Sequence, residues 1–468
     1  MKIELNKIIL SLLLVLLLLY GCLEPDPPES YEEQLEIRMN GIPVRVIDID
    51  PFTESDPPVM ITVHDIQSGN ILNTNIITRR HSSSTVQTFP FPDYYIIQGQ
   101  KGGMGSITFT SGGKSAQLRV FVRNWGKNDV YRHTLYADTV NYPFDPNTAH
   151  NPSDSRAPNK LAAYQLIVDN GFHYEAPDGL SRRQPDATGT VVHRDIPRET
   201  IMRKIHDVPH IIQVPAINEP FLRKDVFAFH LHIDHDGDMV GGYDDRQRLE
   251  LKTMDTGSVP GSTSDDFMYS TGGGDTFTYR WKFKLPADFR VSSEYTHIHQ
   301  IKPEGGDSGN PTFTLTGRRL RTGQEVLQLI YRGPIRANGD PSVNWYPAQV
   351  NLAPFKGEWI YAETTITFDN PGAYRIKLVR IRDMKVLMEY IYSPEQYDEF
   401  DPFVMYRTGN SYIRPKFGIY RRIMHMTPFG LPNPDNPVLV YFGEERNERG
   451  EREMTVLYAD FEMDKLRR

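Results

Sequence analysis

Short stretches of this chain alternate apolar and polar residues with a period of two, and from about residue 201 no long stretch carries a helical period. TFTYRWKFKL, EWIYAETTITF, AYRIKLVRI and MTVLYADFEM show the pattern in the second half, and LEIRM, VMITVHDI and AQLRVFVRNW show it in the first. A strand sends residues i and i+2 to one face. A chain written this way buries one face of each strand and is confined to packed antiparallel sheets. The abundant turn formers, 35 Gly and 35 Pro, fit many short strands, as do the 25 Tyr and 23 Phe. The fold class is therefore all-β.

The pattern divides the chain. Residues 34–124 hold about six or seven strands separated by turns such as Asn40-Gly41 and Gly102-Gly103, which fits a small immunoglobulin-like β-sandwich. It carries no catalytic cluster and reads as a spacer or docking module. Residues 125–200 are polar and irregular, either a linker or an extension wrapping the next domain. From 201 to 468 strands follow one another to the end and predict a two-sheet, concanavalin-like β-jelly roll. A sheet face of such a sandwich is a natural groove for a polymer.

The first residues read as an export signal. Lys2 and Lys7 precede an apolar run from Ile8 to Leu19, shorter than a membrane span of about 20 residues. Gly21-Cys22 after it resembles the bacterial lipobox, where cleavage exposes a cysteine for lipidation. Residues 1–21 are then the signal peptide, Cys22 carries the lipid, and 22–33 form an acidic, Pro-rich tether. The expected location is the outer membrane, on its surface or periplasmic face. Cys22 is the single cysteine, so no internal disulfide forms. The net charge of -8 argues against a general nucleic-acid binder. If the substrate is anionic, positive charge must be gathered in one cleft. The expected partners are thus a polysaccharide and, through the lipid, a membrane; the protein is expected to act as a monomer.

Four strand segments place polar residues at every second position. Arg248, Glu250 and Lys252 share a face opposite Leu249 and Leu251. Tyr295, His297 and His299 share one opposite Ile298, and Arg414, Lys416, Gly418 and Tyr420 one opposite Phe417 and Ile419. His230 and His232 stand opposite Phe229 and Leu231. Together they predict one basic strip across one sheet. Asp234, Asp236 and Asp238 alternate beside Gly237, which reads either as the start of a calcium loop or as a plain acidic turn. No cofactor is required; a structural Ca²⁺ is the one candidate.

In order and spacing these segments resemble the three signature strands of the jelly-roll polysaccharide lyases, the superfamily of the family 7 alginate lyases and the family 20 glucuronan lyases. The family's Arg-x-Glu-x-Arg stands here as Arg248-Leu249-Glu250-Leu251-Lys252. Its Gln-Ile-His stands as His297-Ile298-His299, and its Tyr-Phe-Lys-x-Gly-x-Tyr keeps Lys416, Gly418 and Tyr420 in register. The resemblance covers roughly residues 205–468 and implies β-elimination on a uronic-acid polymer. That reaction removes the C5 proton beside a carboxylate and expels the C4 oxygen, so the site must neutralise the carboxylate and stabilise enolate-like charge. The resemblance implies Arg248 and His297 in that role, with Lys416 and Lys252 steering the chain. Glu250 orients Arg248 or Lys252 through an ion pair, and Arg414, His230 and His232 border the cleft. Tyr420 protonates the leaving oxygen and, in a syn elimination, also takes the C5 proton. His299 either is the base of an anti elimination or helps hold the carboxylate. Two other classes compete. A glycoside hydrolase needs paired carboxylates, and the Glu-x-Asp-x-x-Glu strand of one such family is missing from residues 201–468. A noncatalytic surface glycan-binding lipoprotein needs aromatic platforms, for which Trp281, Trp345 and Trp359 are the candidates.

Overall fold

The structure is a computed structural model that describes residues 34–51, 53, 59–142, 162–176, 210–232, 246–253, 269–334, 344–392, 403–407, 409–422, 424–426, 432–437 and 453–467. The signal segment, Cys22, the tether and Asp234, Asp236 and Asp238 lie outside them. Among the described residues no helix is long and apolar enough to cross a membrane.

The N-terminal part is a two-sheet sandwich. Its strands are β1 (Leu35–Met39), β2 (Ile42–Pro43), β3 (Val46–Ile49), β4 (Val59–Asp65), β5 (Thr78–His81), β6 (Val86–Phe91), β7 (Tyr94–Gly99), β8 (Gly103–Ser111) and β9 (Lys114–Val122). One sheet runs β2-β1-β4-β7-β6 and the other β3-β9-β8-β5, with β3 and β9 parallel. The alternating apolar residues meet between the sheets, where Leu35, Ile61, Ile97, Phe109 and Leu118 are buried. Each such side chain contributes about 1.5–3 kcal/mol when fully buried.

The rest of the chain forms the larger sandwich. Its first strand, β10 (Val130–Leu135), comes from the stretch between the two strand-rich regions, as do a short helix α1 (Ala162–Asp169) and β11 (Phe172–Glu175). Then follow β12 (Ile211–Val214), β13 (Val226–His232), β14 (Arg246–Thr253), β15 (Asp275–Lys284), β16 (Thr296–Glu304), β17 (Phe313–Arg319), β18 (Glu325–Arg332) and β19 (Asn344–Asn351). The remaining strands are β20 (Trp359–Phe368), β21 (Ala373–Arg380), β22 (Lys385–Tyr392), β23 (Tyr412–Arg422), β24 (Met424–Met426), β25 (Pro432–Pro437) and β26 (Glu453–Leu466). One sheet runs β12-β13-β26-β15-β20-β21-β22, and β10 adds to the second half of β26. The other runs β11-β14-β23-β16-β17-β18-β19; β24 and β25 pair as a separate ribbon. The segment read as linker or wrapping extension thus supplies one strand to each sheet. The core between the sheets holds Phe277, Tyr279, Trp281 and Phe283 of β15 against Leu249, Leu251, Phe417 and Ile419.

The outer face of β15 carries the opposite alternation, Arg280 and Lys282, and both are buried. The N-terminal sandwich covers them. Lys282 bridges Asp48 of the small sandwich (2.5 Å) and Asp460 of β26 (2.6 Å). Arg123 grips Glu462, and Arg132 bridges Asp50 (2.8 Å) and Asp464 (2.6 Å). Arg280 reaches Asp464 at 2.7 Å and Glu363 at 3.1 Å. Phe121 stacks on Tyr361 with ring centroids 3.9 Å apart, and Trp359, Val379 and Ile381 close the apolar part of the contact. The small sandwich is seated on the large one by buried ion pairs, more than a spacer requires.

Candidate active site

The site lies on the outer face of the β11-β14-β23-β16-β17-β18-β19 sheet. Antiparallel pairing aligns side chains of neighbouring strands into rows across it. One row runs Arg248, Tyr420, His297, Thr316 and Gln328; the next runs Lys252, Lys416, Gln300, Thr314 and Ile330. β14 and β23 approach closely because Gly418 lies between them at φ +140°. A Cβ there would stand 2.2 Å from the Leu249 carbonyl oxygen, so only glycine fits.

These rows floor a cleft of about 250 Å³ lined by Arg246, Arg248, Lys302, Arg318, Arg332 and Lys416 together with Tyr295, His297, Gln300 and Tyr420. No described residue lining it is acidic. An anionic chain therefore concentrates a cationic cleft in the way a polyanion ligand demands. The Tyr420 hydroxyl accepts a hydrogen bond from Arg246 (3.2 Å), and the Arg248 guanidinium lies over its ring, 4.0 Å from the centroid. Tyr295 stacks on His297 with centroids 4.8 Å apart and leans on Tyr420. Burial and the neighbouring Tyr420 raise the Tyr295 hydroxyl well above the usual phenol range.

His297 opens to the cleft, with Nδ1 2.8 Å from Thr316 Oγ1. Burial, then Arg332, Arg318 and Arg248, push its imidazole down to about 3. At neutral pH the ring is uncharged, so it can hydrogen-bond a carboxylate or take a proton, but it brings no positive charge to the neutralising role expected of it.

His299 does not share that face. A β-bulge between His297 and His299 shifts the register against both β17 and β23. The extra residue turns Ile298 and His299 together toward the core and brings Gln300 onto the cleft face. The His299 ring packs between Trp281 (4.5 Å) and Phe417 (4.9 Å), and its Nδ1–H donates to the Lys416 carbonyl (2.9 Å). Burial pushes it to about 3 as well, partly offset by that bond. The folded His299 stays neutral down to about pH 3, while the unfolded imidazole takes a proton near 6.5. Between these values the unfolded state binds more protons, so stability is complete above pH 6.5 and falls as the pH drops toward 3, by about 1.4 kcal/mol per pH unit for such a group. Thermal unfolding at pH 7 and pH 5 should show the lower Tm at pH 5. His297 is lowered to the same value and contributes alike, so His299→Phe should reduce this dependence by about half, and an unchanged dependence would remove His299 as a source.

Two further expectations are corrected. His230 lies on β13, in the opposite sheet, and faces away from the core to pair with Glu453 (2.7 Å) and Thr455 (2.8 Å). His232 is on the same strand, its side chain outside the described residues. Local alternation sets which residues share a face but not which sheet receives the strand. Glu250 does not pair with Arg248 or Lys252. It is fully buried and accepts from Gln300, and its Oε2 has no partner among the described residues. Burial raises its carboxyl above the usual range although Lys416 and Arg248 oppose this.

The acid that organises the cations is Glu175, from β11. It bonds Arg248 (2.9 Å), Lys252 (2.7 Å) and Lys416 (2.8 Å). Burial would raise it; Lys416, Arg248 and Lys252 outweigh burial and hold it well below the usual carboxylate range. Arg414 faces the same side as Lys416 but is taken up by the Thr253 carbonyl (2.9 Å) and Glu304 (3.0 Å). Lys302, Arg318, Arg332 and Gln300 complete the cleft and were not anticipated; Lys302 and Gln300 followed His299 on its own strand, hidden by the bulge. Burial and Lys416 lower the Lys302 ammonium to about 8. Of the three candidate platforms, Trp281 and Trp359 are buried and Trp345 stands exposed on the edge strand β19. Among the described residues no group of three or more His, Cys, Asp or Glu is placed to hold a metal.

Fold and site together define a two-sheet β-sandwich with a cationic cleft across one sheet. No family model and no curated protein matches the chain. Among solved structures it is similar to an endo-β-1,4-glucuronan lyase from the fungus Trichoderma reesei, at 16% identity over 51% of this chain and 81% of that one, TM-score 0.31. It is also similar to a polysaccharide lyase family-7 alginate lyase at 11% identity, over 63% and 95% of the chains, TM-score 0.32. An alginate lyase from Pseudomonas aeruginosa matches at 14% identity over 50% and 79%, TM-score 0.27.

Proposed function

We propose that this protein is a polysaccharide lyase that cleaves a uronic-acid-containing polysaccharide by β-elimination in the cationic cleft. The observation that carries this reading is the row Arg248, Tyr420, His297 set in a cleft whose charged lining, among the described residues, is basic. The basic lining receives the carboxylate and lowers the negative charge next to C5, which makes that proton removable. Tyr420 is the proton carrier: it abstracts the C5 proton and, from the same side, returns a proton to the departing C4 oxygen. Arg246 at its hydroxyl and Arg248 over its ring place positive charge where the oxygen carries negative charge during transfer. Neutral His297 is the alternative base for an anti elimination, and takes the place that His299, turned into the core, leaves open.

The test is to incubate the protein with a panel of uronic-acid polysaccharides and follow ultraviolet absorbance. Elimination creates a conjugated C4–C5 double bond, whereas hydrolysis does not. A rise on one polymer supports the reading and names the substrate. Binding without a rise would favour a noncatalytic surface glycan-binding protein, for which exposed Trp345 supplies a platform; neither binding nor a rise would sink both.

We also propose lipid anchoring at Cys22 in the outer membrane, on the strength of the apolar run and Gly21-Cys22. Cys22→Ser should move the protein from the membrane fraction to the soluble fraction. Equal partitioning of variant and wild type would remove the anchor.

A further inference from the structure

Apart from Arg246, which donates to the Tyr420 hydroxyl, the cations of this sheet face fall into two groups. On the β14–β23 side, Arg248, Lys252 and Lys416 all contact Glu175, whose side chain is 6% exposed. On the β16–β18 side, Lys302, Arg318 and Arg332 have no carboxylate partner among the described residues. They donate to neutral oxygens: Lys302 to the Ser308 carbonyl, Arg318 to the Glu294 carbonyl, and Arg332 to Asn310. Arg248 and Lys416 of the first group and all three of the second line the same cleft as Tyr420 and His297. An incoming carboxylate must displace a resident, tethered carboxylate to reach the first group, and tethering gives that resident a high effective concentration. Nothing anionic among the described residues holds the second group. The field at His297 agrees, since Arg332 and Arg318 act on it more strongly than Arg248.

We propose that Glu175 is a built-in counter-anion that fixes Arg248 above Tyr420 and closes Arg248, Lys252 and Lys416 to the substrate, so that the substrate carboxylate is seated on Arg332, Arg318 and Lys302. Glu175 is a positioning residue delivered by a strand from outside the main run of the sheet. The seat makes the site specific for a sugar whose carboxylate reaches the β16–β18 side when its C4–C5 bond lies over Tyr420. That last statement rests on the lyase reading; the seat itself does not.

The experiment measures binding of oligoglucuronate, oligoalginate and inorganic sulfate by calorimetry, alongside turnover on the corresponding polymers, for the full chain and for Arg332→Gln, Glu175→Gln and Glu175→Asp. Arg332→Gln should weaken uronate binding about tenfold or more, as loss of a charge-assisted hydrogen bond does, with Tm unchanged. Glu175→Gln opens the first cation group, so uronate should bind tighter while kcat falls, and Glu175→Asp should restore most of kcat. A merely structural Glu175 would move kcat and KM only through the folded fraction and would not tighten binding. If Glu175→Gln does not fold, Glu175→Asp carries the test through tighter binding, because the shorter acid releases at least one cation. Wild-type affinity in Arg332→Gln, unaltered affinity in the folded Glu175 variants, or a wild type that binds none of the three anions would overturn the proposal. Loss of binding in Arg332→Gln with no polymer eliminated by the wild type would instead sink the lyase reading and leave the seat standing.

Discussion

Tyr420→Phe is expected to lose elimination activity by about a hundredfold to ten-thousandfold, the range supplied by a positioned acid or base. Polymer binding should stay within a few fold, because the ring and its contact with Arg248 remain. The substitution removes one hydroxyl, half-buried and bonded to Arg246, so Tm should fall by little. The measurement is the progress curve of double-bond formation on the polymer found by the panel, paired with a binding isotherm. A variant retaining wild-type kcat would transfer the proton steps to His297, and His297→Gln would then have to show the loss.

Removal of residues 34–124 is expected to leave the large sandwich unable to fold as a soluble, cooperative unit. The reason lies in the charges on the outer face of β15 and β26. Lys282 would lose Asp48, Glu462 would lose Arg123, and Arg132 would lose Asp50. Phe121 would leave the ring of Tyr361 uncovered. Stripping one partner from a buried pair costs about 3–5 kcal/mol, and a typical domain has only about 5–15 kcal/mol in all. A milder form of the same test is Lys282→Ala in the full chain, which takes the ion-pair partner from Asp48 and leaves buried Asp460 with Lys224 alone, and should lower Tm. Lys114→Ala, which breaks the more exposed Lys114–Asp65 pair on the small sandwich, should lower Tm far less, because solvent screens an exposed pair. A soluble truncated chain with a sharp unfolding transition would show that the contact is dispensable.

Much of the site follows from the period of the strands. The pleat sends alternate residues to opposite faces whatever the partner strand, so Arg248 with Lys252, and Lys416 with Tyr420, were bound to line up once their segments formed strands. The antiparallel pairing of β14 with β23 then put Arg248 opposite Tyr420. The same rule separated the core residues Leu249, Leu251, Phe417 and Ile419 from the polar ones without knowledge of the fold.

Three features depended on contacts between distant segments. The bulge at Ile298 arises from the joint register of β16 with β17 and β23, and it reverses the face of every residue after it on that strand, which exchanged His299 for Gln300. The sheet that receives β13 is decided by its pairing with β26 from the far end of the chain, so His230 kept its face but left the site. Glu175 sits in a polar stretch with weak strand pattern, and only edge pairing of β11 on β14 carries it to the cations that strand alternation assigns to Glu250. Period-two alternation is a property of one strand and can be read from one segment. Register, sheet membership and ion pairing are properties of two or more segments, and their energies exist only after folding brings those segments together.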